Sequence, residues 1–251
     1  MSRVIAVANQ KGGVAKTTTV HTIGAALVEL GHRVLLVDLD PQACLTFSNG
    51  VDPDDLDQSL HDVMLGRVEA AEVVVKIGDL HLLPSTIDLA GAEVHLLSKT
   101  GREFQLRRGL EPLLESYDFI LIDCPPSLGI LTINGLTAAT EVIIPLQCET
   151  LSQRGVGQLL ETIDDVRAFT NPRLAVRGVI ATMYDSRTRL AQQVIEGMPD
   201  AYGLQVLQPP VPKSVKVAEA PAEGRSILQH ASSSKGAVAY RELAQGLLAS
   251  A

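Results

Sequence analysis

The sequence predicts an α/β fold: a single doubly wound, mostly parallel β-sheet with helices on both faces. Three observations predict it. Short apolar, β-branched runs recur along the chain, stretches of helical character separate them, and a glycine-rich segment follows the first run. Near-continuous apolar runs mark strands covered on both faces, and strand–helix alternation implies right-handed crossovers between parallel strands.

The elements follow in order. Strand-like runs fall at residues 4–8, 34–37, 80–83, 119–122, 142–145, 176–182 and 204–207. Helical patterns fall at residues 18–30, 105–115, 151–169, 190–196 and 237–248, the first ending at Gly31, a residue suited to a helix C-terminus. Residues 52–57 are acidic, contain Pro53 and read as an exposed turn before a helix. Residues 208–212 hold Pro209, Pro210 and Pro212, so they form a stiff connection rather than a helix interior or central strand.

Composition sets bounds. The 251 residues suit one domain spanning residues 1–251, with no internal repeat or linker. Apolar residues make up 46% and aromatics 3%, with no Trp, so one sizeable core must be built from Val, Ile, Leu and Ala. Cys44, Cys124 and Cys148 are few, odd in number and far apart, which argues for reduced thiols and a cytoplasmic setting. No signal peptide precedes the first strand, and no apolar run reaches the ~18 residues of a membrane span. A formal charge of −8 means that any nucleic-acid binding needs a local basic patch.

The chemistry-bearing segment is Asn9-Gln10-Lys11-Gly12-Gly13-Val14-Ala15-Lys16-Thr17-Thr18-Thr19, between the first strand and the first helix. Small residues let consecutive backbone N–H groups turn inward as an anion cradle, and the helix N-terminus adds partial positive charge. The strict phosphate-loop pattern fails at both glycines, where Gln10 and Ala15 stand. Its context supports the assignment nonetheless: Lys16 can reach the β- and γ-phosphates and Thr17 can place its hydroxyl on Mg²⁺, making the chain a P-loop NTPase. The cradle comprises Gly12, Gly13, Val14, Ala15, Lys16, Thr17 and Thr18.

Carboxylates follow at two further strand ends. Asp38-Leu39-Asp40-Pro41 closes the second run, and alternation along an extended backbone lets Asp38 and Asp40 face the same side. Residues 119–122 lead into Asp123, the hydrophobic-strand-plus-carboxylate pattern that delivers Asp123 to a magnesium shell. Cys124-Pro125-Pro126-Ser127 then makes a stiff segment.

Lys11-Gly12-Gly13-x-x-Lys16-Thr17-Thr18 resembles the deviant Walker A motif of the ParA/Soj and MinD class of ATPases. The resemblance continues through Asp123-Cys124-Pro125-Pro126-Ser127, residues 145–149, residues 182–185 and Glu219-Ala220-Pro221, so it covers essentially the whole chain. It implies ATP and Mg²⁺ as ligands, Lys11 acting in trans across an ATP-state homodimer, and Asp40 tied to hydrolysis and to the metal. It also implies Met183, Pro210, Val211 and Pro212 shaping the adenine pocket. The family has Gly where this chain has Ala15, which would strain the loop if that position needs φ > 0. The nitrogenase iron protein shares the fold, but the cysteines here do not follow its cluster-binding pattern, and Cys124 reads as a small buried residue.

Three uses of ATP compete under this resemblance. DNA partition would need nonspecific duplex binding in the ATP state, a nucleoid location and a ParB-type partner that triggers an otherwise slow hydrolysis. Residues 173–225 carry Arg173, Arg177, Arg187, Arg189, Lys213, Lys216 and Arg225 against five acids, a modest basis for phosphate contacts by Arg187, Arg189, Lys213, Lys216 and Arg225. Positioning another cargo on the nucleoid through an adaptor would keep every motif above. Membrane cycling in the manner of MinD would need a basic amphipathic tail, whereas residues 240–251 have one Arg, one Glu and a mid-helix Gly and read as a docking helix. The chain starts directly at strand one, so no N-terminal helix-turn-helix domain is expected.

Overall fold

The computed structural model describes residues 2–148 and 152–249; for residues 152–154 it describes the backbone only. Among these residues eight strands form one sheet: β1 (Arg3–Val7), β2 (Val34–Asp38), β3 (Val75–Ile77), β4 (Leu80–Leu83), β5 (Phe119–Asp123), β6 (Glu141–Gln147), β7 (Ala175–Thr182) and β8 (Val206–Leu207). Their spatial order is β3-β4-β2-β5-β1-β6-β7-β8, and only β3–β4 is antiparallel. The strands expected from the apolar runs are all present, and the sheet is doubly wound and mostly parallel. β3 has no counterpart in the sequence reading, because a three-residue edge strand with half-exposed ends carries too little apolar signal.

The helices are α1 (Lys16–Glu29), α2 (Cys44–Ser48), α3 (Leu60–Leu65), α4 (Ala70–Val73), α5 (Leu89–Leu97), α6 (Gln105–Leu110) and α7 (Ile130–Ala138). They continue with α8 (Ser152–Phe169), α9 (Arg189–Tyr202), α10 (Val215–Glu219), α11 (Ile227–His230) and α12 (Lys235–Ala249). The helix expected at 105–115 stops at Leu110 and tightens into a 3₁₀ turn over Glu111–Leu113, because Pro112 cannot donate to the α ladder. The helix expected at 190–196 runs on through Pro199 to Gly203, which caps it at φ 66. Of the calls on residues 145–149 and 151–169 and on the tail 240–251, Glu149, Leu151, Ser250 and Ala251 lie outside the described residues.

Alternation along each strand divides the interior, so the single core expected from composition is two layers. One face buries Val4, Ala6, Leu35, Val37, Ile120, Ile122, Val142 and Ile144 with residues of α3, α5, α6, α7, α8 and α9. The other buries Ile5, Val7, Leu36, Leu121, Ile143 and Ile180 beneath α1 and α12. Each fully buried Val, Leu or Ile contributes about 1.5–3 kcal/mol. α1 lies close on the sheet: a Cβ on Gly24 would stand 2.6 Å from Leu36 Cδ2, so a larger residue there would force Leu36 to shift. α12 lies on α1 in turn. The Tyr240 and Thr19 hydroxyls are 3.1 Å apart, and Arg241 donates to both carboxylate oxygens of Glu29 at 2.6 and 2.9 Å.

The register positions the site. Val7 and Asp38 both pair with Asp123, so β1, β2 and β5 end level with one another. Three loops therefore leave one rigid edge, the carboxyl end where ligands of such sheets bind.

Candidate functional site

The loop after β1 is built on two hydrogen bonds from Asn9, which is buried. Its side-chain amide donates to the Pro145 carbonyl at 2.7 Å, and its Oδ1 accepts from the Lys11 amide at 2.9 Å. Thr182, at the end of β7, donates its hydroxyl to the Val14 carbonyl at 3.0 Å. Gly13 has φ 73, and Ala15, the residue preceding α1, has φ 66 and ψ 35. The position that would suffer from replacing glycine is thus left-handed, and an L-residue there is disfavoured by about 1–2 kcal/mol. Ala43 (φ 52) and Met183 (φ 50) are the other non-glycine residues in this region of backbone space among those described. Ala15 and Met183 line one cavity, and Ala43 stands between Gln42 and Cys44, which also line it. Strain of this kind clusters where surrounding structure holds a ligand site.

That cavity has a volume of about 1150 Å³. Gly12, Gly13, Ala15, Lys16, Thr17 and Thr18 form its floor, Asp40, Gln42, Cys44 and Phe47 one wall, and Met183, Val211, Pro212 and Lys213 another. Pro210 is not among its lining residues, because the chain enters through buried Val211, whose amide bonds the Ala181 carbonyl at 2.8 Å. Val14 is fully buried beneath the loop.

Polar chemistry converges at the phosphate loop. The Thr17 hydroxyl donates to Asp123 Oδ2 at 2.6 Å, and Lys16 Nζ donates to the Lys11 carbonyl at 3.2 Å. Burial pulls the Lys16 ammonium below its ordinary pKa, against the opposing pull of Asp123, Cys124 and Asp40. Burial, aided by the Asp38 charge, pushes Asp123 well above the usual carboxylate range. Asp123 Oδ1 is buried with no hydrogen-bond partner. A buried carboxylate oxygen left unpaired beside a threonine hydroxyl fits a hard divalent cation, which takes one or two protein oxygens and completes its shell with phosphates and water.

Asp38 and Asp40 part company. Asp38 is fully buried, and both its oxygens are engaged. One accepts from the Thr46 amide and hydroxyl at 2.7 Å each, and the other from the Asp40 amide at 3.3 Å. Burial raises its pKa to about 6. Asp40 faces the cavity, its Oδ1 accepting from the Gln42 amide at 2.9 Å. Both carboxylates act on Asp123, but they differ in role: Asp38 is spent on the turn into α2, and Asp40 is left to the cavity. Glu93 on α5 was not foreseen. It is half-buried, and burial together with the Asp40 charge raises its pKa. Asn9, Thr46, Thr182 and Glu93 leave no local signature, since each acts through a partner distant in sequence or brought near by packing.

The candidate cations separate. Arg187, with a side chain 87% exposed, chelates Asp185 through contacts of 2.9 and 2.7 Å and holds that carboxyl at about 2. Lys213 adds to the same field, and the neighbouring Tyr184–Pro212 bridge joins its segment to the residues just after β7. Arg189 and Lys216 are exposed, and Arg225 lies 3.8 Å from Glu223. Arg173 and Arg177 belong elsewhere, at the amino ends of the strands, where Arg177 lies 3.8 Å from Glu141. The basic stretch read from the sequence is thus divided between opposite ends of β7. Among the described residues no helix is long and apolar enough to cross a membrane. Cys124 and Cys148 are buried, and burial raises both thiols.

The family model of an AAA domain (AAA_31) matches residues 2–176. The chain is 42% identical over 251 residues to the sporulation initiation inhibitor protein Soj of Bacillus subtilis (strain 168), covering 99% of both chains. It is 41% identical over 250 residues to the chromosome partitioning protein ParA of Caulobacter vibrioides (strain NA1000 / CB15N), covering 98% of this chain and 94% of that one. A crystal structure from Mycobacterium smegmatis, named cobyrinic acid a,c-diamide synthase and holding ADP and magnesium, superposes with a TM-score of 0.89 at 56% identity. That match covers 99% of this chain and 94% of the other.

Proposed function

The chain belongs to the ParA/Soj family of partition ATPases, and on that premise we propose that it hydrolyses ATP as a nucleoid-using positioning switch, with residues 1–251 acting as one ATPase unit. What carries the reading is the meeting of Lys16, Thr17 and Asp40 at one cavity, with Asp123 bonded to Thr17 behind its wall and one oxygen unpartnered.

The residues divide the work. Amides of residues 12–18 and the N-terminus of α1 receive the phosphates. Lys16 exchanges its bond to the Lys11 carbonyl for phosphate oxygens, which removes a buried charge's dependence on one backbone partner. Thr17 and Asp123 would hold magnesium, with Asp40 beside them. Magnesium, when bound, neutralises charge on the β- and γ-phosphates. Asp40 orients the attacking water, Lys11 completes the site of a second copy, and Met183, Val211 and Pro212 bound the base, with Pro210 supporting them from outside the cavity. ATP closes two chains face to face. Arg187, Arg189, Lys213, Lys216 and Arg225 of both then meet duplex DNA through its phosphates, in the cytoplasm and on the nucleoid. A ParB-type activator or cargo adaptor triggers the slow hydrolysis that reopens the dimer.

The test is duplex DNA binding by the Asp40→Ala protein with ATP and with ADP, across a salt series. The reading expects binding that needs ATP, weakens steeply with salt and ignores sequence. An ATP dimer that leaves DNA unbound at low salt would remove the nucleoid from the proposal.

The name of the Mycobacterium smegmatis structure supplies a second chemistry, amide formation on a corrinoid acid. A cysteine serving such a step as nucleophile must be an activated thiolate. Cys124 and Cys148 are buried, and burial with the charges of Asp40, Asp38 and Asp123 raises the pKa of Cys44. The ATPase switch therefore takes precedence, and conversion of cobyrinic acid to its diamide by the purified chain would reverse that order.

A further inference from the structure

We infer that Thr46 is a positioning residue for ATP turnover: with the buried carboxylate of Asp38 it forms a clamp that closes the loop carrying Asp40. The inference rests on the ATPase reading above and adds to it a residue that does not line the cavity.

Thr46 lies in α2 and is fully buried. Its amide and its hydroxyl each donate to the same Asp38 oxygen at 2.7 Å. The other Asp38 oxygen accepts from the Asp40 amide at 3.3 Å. One carboxylate therefore grips residues 40 and 46, the two ends of a short loop, and between those ends Asp40, Gln42 and Cys44 line the nucleotide cavity. The grip is needed locally. α2 has no side-chain cap of its own, and Ala43 before it has φ 52, a conformation that an L-residue adopts only when its surroundings hold it. Asp38 supplies the missing cap from the end of β2.

The hydroxyl of Thr46 has a second partner. It accepts from the Ser85 amide at 2.9 Å, on the segment leading from β4 towards α5. Donor and acceptor capacity of one hydroxyl thus tie the Asp40 loop to the sheet on one side and to the approach to α5 on the other. Thr86, next in that segment, has its hydroxyl 3.2 Å from that of Ser59, the residue before α3. The Asp40 loop is therefore braced by Asp38 at the end of β2 and, through Thr46, by the segment after β4, which Thr86 ties to Ser59. A water-orienting group works only when held near its reacting geometry, and a displacement of about 1 Å costs on the order of 100-fold in rate.

The experiment compares Thr46→Val, which keeps the shape and removes the hydroxyl, with Thr46→Ser, which keeps the hydroxyl. Steady-state ATP turnover is read beside equilibrium binding of a fluorescent ATP analogue. Thr46→Val should lose about tenfold or more in kcat while its nucleotide Kd stays within about threefold of the parent, because the phosphate loop is untouched. Thr46→Ser should recover at least half of the lost rate. If Thr46→Val does not fold, Thr46→Ala is read in its place with the same expectation. A kcat unchanged by loss of the hydroxyl, or a Kd that weakens in step with kcat, would overturn the clamp while leaving the ATPase reading in force. A parent protein that turns over no ATP would overturn both.

Discussion

The two ends of the sheet are built to different rules. At the amino ends of the strands, opposite charges pair, exposed at Arg33 and Asp118 and half-buried at Arg3 and Glu141. Arg33 chelates Asp118 at 2.8 and 3.3 Å, and Arg3 binds both oxygens of Glu141 at 2.8 and 2.9 Å. Around the phosphate loop at the carboxyl ends, charges are buried and mismatched. Asp38 and Asp123 are pushed upward, Lys16 downward, one oxygen of Asp123 has no partner, and two alanines hold left-handed backbone. The same parallel strands carry both, so the contrast is not one of architecture. It locates where local stability has been given up, and such places are where ligands complete the interactions.

Substitutions can break or sharpen that contrast. Lys16→Ala attacks it most strongly: nucleotide affinity should fall about 30- to 100-fold, the scale of a lost charge-assisted contact, as read by calorimetry. Retained affinity would mean that the buried lysine serves the fold alone. Asp40→Ala should separate binding from turnover, with ATP affinity kept and hydrolysis reduced about 100-fold in a phosphate-release assay.

His21 tests burial itself. It lies buried in α1, with its pKa lowered to about 4 by burial. Above about pH 6.5 the imidazole is neutral in both folded and unfolded chains and adds no pH dependence. As pH falls from 6.5 towards 4 only the unfolded chain takes up the proton, so stability falls across that window, by about 2 kcal/mol at pH 5. Urea titrations at pH 7.5 and 5 should show this loss in the parent and not in His21→Gln.

Smaller effects sharpen the comparison. Ala15→Gly should tighten ATP binding a few-fold, since relief of left-handed strain exceeds the added flexibility of glycine only modestly. Weaker binding would show that the methyl group preorganises the loop. Arg33→Ala, at the opposite end, should leave the melting temperature within about 2 °C, as expected of an exposed ion pair.

The sequence made the sheet legible because strands covered on both faces write their burial into continuous apolar runs. It made the phosphate loop legible because strand, glycines, lysine and threonine are contiguous. Neither condition holds for the rest of the site. The helices after β2 and β4 are short or begin without a capping side chain, and α2 exists because Asp38 caps it from eight residues away. Asp38 and Asp40 look equivalent in sequence, yet one is a buried brace and the other faces the cavity. Ala43 gave no warning of its left-handed backbone, since alanine carries no mark of it. The arginines of residues 173–225 are neighbours in the chain, but β7 carries them to opposite ends of the molecule.

α12, residues Lys235–Ala249, roofs α1, residues Lys16–Glu29, through Tyr240 and Arg241. A ribosome making about 5–20 residues per second emits the first of these helices some 10–40 s before the second. Throughout that interval the helix that presents the phosphate loop has one apolar flank exposed to water. Loop geometry and nucleotide capture thus mature late in synthesis, after the sheet has been laid down. Nascent chains arrested before residue 235 should be sticky and blind to ATP, and release of the last helix should end both conditions together.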